Sequence, residues 1–179
     1  MSIGLVRMYP ALLAVLFFLS CSKNAERDPT PMVEFTIEGT SFQWKEQLNA
    51  NDPNYRRMTI YSNGMGQHLF FASTESSVFM NKPNQEIMIT INTDSLEVNK
   101  TYTVRYEDGQ AFSIIAGSAP GSNPAMTFLP YQEGDQCTIT FTRIADGRAE
   151  GQFAARLTRW SDRTQVDVRD GMFRNIPIE

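Results

Sequence analysis

Apolar residues at every second position dominate this chain, and that period admits few folds. In "VEFTI" the side chains of Val33, Phe35 and Ile37 fall on one face and those of Glu34 and Thr36 on the other, the signature of a half-buried β-strand. The pattern returns in "IMITIN" (Ile87, Ile89, Ile91), in "TYTVRY" (Tyr102, Val104, Tyr106) and in "CTITFTRI" (Cys137, Ile139, Phe141 and, after a shift, Ile144). It continues through "QFAARLTRW" and "TQVDVRDG". Residue choice agrees with period: after Cys21 there are five leucines (Leu48, Leu69, Leu96, Leu129, Leu157) against fifteen threonines, a bias that suits a pleated sheet and disfavours helix. Trp44 to Leu48 is the best candidate for a short helix.

Turn signals separate these segments: Asn63-Gly64, Glu107 to Gly109, Glu133 to Gln136, Ala145 to Gly151 and Asp170-Gly171. Asn-Gly and Asp-Gly tolerate the positive φ of tight hairpins. Short connections make neighbours antiparallel, so the C-terminal half reads as a meander. A chain of 179 residues is the size of one domain. About nine strands in one domain bury their apolar faces by stacking as two sheets or by closing on themselves. An all-β, single antiparallel β-sandwich is expected, with a closed lipocalin-like barrel as the alternative. Ala116 to Met126, "AGSAPGSNPAM", reads as one long exposed loop, the kind that often carries binding.

The first twenty residues follow a different rule. Arg7 is the one charge before Cys21, and Ala11 to Leu19 is an uninterrupted apolar run ending at Ser20. Nine residues of helix rise about 14 Å, half of a hydrocarbon core near 30 Å, too little for a stable span. Positive residue, short apolar run and small residue are the parts of a signal peptide. Phe18-Leu19-Ser20-Cys21 resembles the lipobox of bacterial lipoproteins, with Phe where Leu is more usual. That resemblance implies cleavage before Cys21, a diacylglycerol on its thiol and acylation of the new amine. Two or three acyl chains give durable attachment where one is marginal. The expected organisation is a signal peptide over residues 1–20, a lipidated cysteine and flexible tether over 21–31, and an all-β domain over 32–179. The localisation that follows is the cell envelope, most naturally the outer membrane. Beyond Cys21 the sequence holds Cys137 alone, so no internal disulfide framework exists and Cys137 is expected in the core.

Most catalytic chemistry lacks its residues. His68 is the single histidine, which leaves no cluster for zinc and no nucleophile triad unless His68 serves. Its setting in "GQHLFF" suggests a structural residue at a strand start. "GMG" at Gly64 to Gly66 lacks the residues that complete a phosphate cradle, and "GSAPG" lacks the serine placement of a nucleophile elbow. Asp52 and Asp94 fit Asx turns and do not match a calcium loop. With 16 basic against 20 acidic residues the chain lacks the concentrated positive face that nucleic acid needs. Arg156, Arg159 and Arg163, the densest basic group besides Arg56-Arg57, read as solvated surface. No metal, cofactor or nucleic acid is expected. Paired carboxylates are the remaining enzymatic option, since glycoside hydrolysis needs two. Glu34, Glu38, Glu97, Glu107 and Asp167 lie on or beside strands, and their alternation points them at solvent.

Aromatic residues are the other handle. Trp44, Tyr55, Tyr131 and Trp160, with Tyr61, can supply flat faces for sugar rings, and Trp44, Tyr55, Tyr131 and Trp160 are the candidate ligand-binding set, with Cys21 as the lipid attachment site.

The closing stretch carries two related signatures, Gly151-Gln152-Phe153 and Gly171-Met172-Phe173-Arg174-Asn175-Ile176-Pro177. It resembles the ending of small lipid-anchored β-proteins of unknown function from Gram-negative anaerobes. The resemblance covers this stretch well and the rest loosely. It implies a single all-β lipoprotein domain in the envelope and brings no catalytic residues. Each Gly-x-Phe suits the tight opening of a strand whose first inward side chain plugs the core. The function expected is a non-catalytic envelope module that binds a glycan or a protein. The alternatives are a carboxylate-dependent glycoside hydrolase and a structural or assembly subunit of the surface. Oligomeric state stays open.

Overall fold

A computed structural model describes residues 30–47, 57–73, 84–108, 111–118 and 127–179. Cys21, Tyr55 and the signal segment lie outside them. The described residues form eleven strands: β1 (Met32–Ile37), β2 (Thr40–Lys45), β3 (Arg57–Ser62), β4 (Gln67–Ser73), β5 (Asn84–Asn92), β6 (Thr101–Arg105), β7 (Phe112–Ser118), β8 (Thr127–Leu129), β9 (Gln136–Ala145), β10 (Arg148–Arg159) and β11 (Gln165–Pro177). The expected all-β antiparallel architecture is what is found, with two strands more than the nine expected.

Two antiparallel runs build the body. One orders its strands β2-β1-β11-β10-β9-β6 and the other β3-β4-β5-β7-β8. Their apolar faces meet: Phe70 of β4 lies 5.1 Å from Phe173 of β11 and 6.4 Å from Phe153 of β10, centroid to centroid. Around them the alternating residues read from the sequence are buried, among them Val33, Phe35, Ile37, Ile87, Ile89, Ile91, Val104, Cys137, Ile139 and Phe141. The runs are also hydrogen-bonded into one curled sheet. β8 crosses to the end of β10 through Thr158↔Leu129 and Arg159↔Phe128. At the other seam the chain terminus lies parallel to β3, with Glu179 N–H donating to the Ile60 carbonyl at 2.9 Å and Ser62 N–H to the Glu179 carbonyl at 2.8 Å.

Bulges supply the curl. Glu150 faces Arg143 and Gly151 faces Phe141, so Thr142 is an extra residue in β9. This is the shift seen in the alternation before Ile144, and such an insertion bends and twists a strand. Asp146-Gly147, with φ of 55° and 68°, makes the two-residue β9–β10 hairpin that this dipeptide favours.

Several expectations are corrected. Trp44 and Lys45 end β2 rather than begin a helix, because Phe42 and Trp44 both turn toward Phe35 on β1. Asp170-Gly171 is no hairpin; it lies inside β11, where the pairing with β10 shifts between Phe153 and Ala155. Neither Gly-x-Phe opens a strand, since both sit mid-strand and face each other. Ala116 to Ser118 complete β7, and 119–126, the rest of the expected loop, lie outside the described residues.

Candidate functional site

The short β8–β10 pairing decides which turns become neighbours. Beyond Thr158↔Leu129 and Arg159↔Phe128, Trp160 N–H donates to the Thr127 carbonyl at 2.9 Å. The turn after β8 and the turn after β10 therefore leave the sheet side by side.

Asp135 locks the first of these turns. It is fully buried. One carboxylate oxygen accepts from Tyr131 N–H (2.8 Å), Gln132 N–H (3.1 Å) and the Thr158 hydroxyl (2.8 Å), and the other from Gln165 Nε2 (3.0 Å). A buried carboxylate is tolerated where its lone pairs are satisfied in this way. Its backbone carbonyl accepts from Tyr106 N–H at 3.0 Å. One buried residue thus ties down the segments carrying Tyr106, Tyr131 and Trp160, all exposed aromatics.

Between two of these rings stands a cation. Tyr131 and Trp160 meet edge to face, centroids 6.3 Å apart and planes at 83°. The Arg163 guanidinium carbon fills their corner, 3.9 Å from the Tyr131 centroid and 4.0 Å from that of Trp160. Each such contact contributes about 0.5–1 kcal/mol at an exposed site. The rings remain 46% and 43% exposed, so they present faces to solvent while their positions are held. Arg163 adopts φ of 63°, a left-handed conformation uncommon for a long side chain and enriched at binding sites.

The neighbouring cation is shared by two carboxylates. Arg159 pairs with Glu38 and, at 2.7 Å, with Asp162. Asp162 is held below the usual carboxylate range by the Thr164 N–H and by Arg159. Arg163 itself pairs with no carboxylate among the described residues, and neither the Tyr131 hydroxyl nor the Trp160 indole N–H has a hydrogen-bond partner there.

Of the four aromatic candidates the structure brings together two. Trp44 is 3% exposed and packs edge-on against Phe35, 5.1 Å between centroids, so it belongs to the core and offers no face to a ligand. Tyr61, partly buried on β3, lies under Arg57.

The acids read as solvent-facing are engaged. Glu34 accepts from Gln43 at 3.2 Å and lies 3.7 Å from Arg174, and Glu97 pairs with Lys100. Asp167 is drawn below its ordinary range by Arg169 and Arg156, and Glu107 by the Gly134 N–H. Glu86 on β5 moves the other way, pushed up by burial. Cys137 is buried and its thiol is pushed up to about 12 by desolvation, an inert sulfur at neutral pH.

Sequence reading missed Arg163 and Asp135. Arg163 stood in a basic cluster taken as solvated surface; its spacing three residues after Trp160 was the available signal. Asp135 stood in a turn motif, and nothing local distinguishes a buried turn aspartate from an exposed one.

No protein-family model, no curated protein and no solved structure matches this chain. The role of the patch is therefore read from its own chemistry.

Proposed function

We propose that this protein is a lipid-anchored module of the cell envelope, outer membrane most naturally, which binds a glycan or partner protein without catalysis. The observation that carries the binding half is the exposed Tyr131–Trp160 pair around Arg163, fixed on turns that Asp135 locks to the sheet. Rigid aromatic faces beside a cation that no carboxylate of the described residues pairs suit recognition, because little side-chain entropy is lost when a ligand docks. The anchor half rests on the lipobox-like Phe18 to Cys21 and on the closing segment's resemblance to small envelope lipoproteins. Of the acids named from the sequence, Asp167 and Glu107 are shifted toward ionisation, the wrong direction for the general acid of a glycoside hydrolase; Glu86 is shifted the other way by burial.

Expression of the full chain in a Gram-negative host tests both halves. Mass spectrometry is expected to find a triacylated Cys21 at the mature amino terminus, and a glycan or envelope-protein screen to find binding that Trp160→Ala abolishes. An unmodified thiol would end the anchor reading, and binding indifferent to Trp160→Ala would end the assignment of the site.

A further inference from the structure

We infer that the Tyr131–Arg163–Trp160 corner takes a carboxylate-bearing sugar, a uronic-acid residue of an acidic polysaccharide. The inference rests on the binding role proposed above and adds the class of ligand.

Arg163 decides the charge. Its guanidinium is packed against both rings, yet its in-plane N–H donors carry no carboxylate from the described residues. A planar fork of donors matches a carboxylate with two parallel hydrogen bonds. Of the nearby acids, Asp135 is buried under four donors and Glu38 and Asp162 are both held by Arg159; Glu133, exposed on the Tyr131 turn, makes no ion pair with Arg163. Arg163 has no carboxylate partner among the described residues, and on a chain of net charge −4 a single guanidinium suits a singly charged group better than a phosphate dianion, which the surrounding field repels more strongly.

The place decides between sugar and peptide. A peptide recognised by strand addition needs an open sheet edge, and at this end the edge of β10 is already taken by β8. What the turns do offer is two half-exposed rings whose hydroxyl and indole N–H have no hydrogen-bond partner among the described residues. A pyranose has a flat apolar C–H face to lay on a ring and hydroxyls to meet those polar atoms.

Calorimetric titration of the full chain in detergent micelles with galacturonate and hyaluronan oligomers tests this. The matched probes are the same oligomers after carboxyl reduction, and poly-glutamate. The expected result is binding to a uronate oligomer that falls at least tenfold on carboxyl reduction and on Arg163→Ala, is partly kept by Arg163→Lys, and has no counterpart with poly-glutamate. Equal binding of reduced and unreduced oligomers, lost on Trp160→Ala, would overturn the carboxylate inference and leave the binding role standing. Poly-glutamate binding as tightly as uronate would overturn the choice of sugar. No binding of any oligomer by a folded chain, judged by its unfolding transition, would overturn the inference, and a silent glycan and protein screen would then take the binding role with it.

Discussion

Phe173 stands opposite Gly151 across the β10–β11 ladder and its ring covers the glycine, while two positions along Phe153 covers Gly171 in return. The two Gly-x-Phe signatures are thus a reciprocal lock. Each glycine makes the room that the other strand's phenylalanine fills, an aromatic covering of a strand glycine. A Cβ on Gly151 would overlap the Thr140 carbonyl oxygen and reach 2.9 Å from Phe173 Cε1, and one on Gly171 would overlap the Phe153 carbonyl and reach 2.8 Å from its Cγ.

Gly151→Ala and Gly171→Ala are each expected to destabilise the domain by about 2–3 kcal/mol through overpacking. Phe173→Leu should not rescue Gly151→Ala, because the Thr140 carbonyl still blocks the methyl group. Urea unfolding of the single and double variants checks this.

Asp135 joins stability to the site. Asp135→Ala leaves the Tyr131 and Gln132 N–H groups, the Thr158 hydroxyl and the Gln165 amide without their acceptor, at a cost of ~3 kcal/mol or more. Chemical denaturation gives the loss. In a variant still folded, Trp160 fluorescence should shift as the Tyr131 turn loosens.

His68, the second residue of β4, is buried, and both ring nitrogens lack a hydrogen-bond partner among the described residues. An apolar side chain of similar size removes that unsatisfied polarity, so His68→Leu is expected to stabilise by about 1 kcal/mol. A raised urea midpoint with unchanged slope is the readout.

Two carboxylates should give opposite pH signatures. The folded pKa of Asp167 is depressed by Arg169 and Arg156 from an ordinary 3.8, so it contributes stability above that value and loses it as pH falls through the folded pKa. Glu86 is raised by burial from 4.5. Its ionisation therefore costs stability above the folded pKa, and the cost is absent below 4.5. Asp167→Asn should be less stable than the parent at pH 7, with the difference shrinking as pH falls below 3.8. Glu86→Gln should be more stable at pH 7, with the gain gone below pH 4. Thermal melts across pH 3 to 7 report both.

Much of this fold was legible because it is local. Period-two alternation and β-branched composition need no partner to be read, and the break before Ile144 marked the bulge at Thr142. Asp170-Gly171 misled because the backbone a tight turn requires is also the one a bulge uses: Asp170 has φ of 54° inside β11, and only the pairing with β10 tells the two apart. Trp44 misled because six residues are too few to show a period against its aromatic bulk. The candidate corner was half legible. Tyr131 and Trp160 were named from residue type, but their meeting depends on β8 crossing to β10, a contact between segments about thirty residues apart that no local pattern encodes.

The most direct measurement is retention of labelled acidic polysaccharide by membranes from cells producing the full chain. Retention above that of membranes lacking the protein, falling to that background with Trp160→Ala while the variant stays folded and membrane-bound, and falling likewise with Cys21→Ala as the protein leaves the membrane fraction, is the predicted result. Retention unchanged by Trp160→Ala, or a Cys21→Ala protein that still sediments with the membrane, would contradict the account.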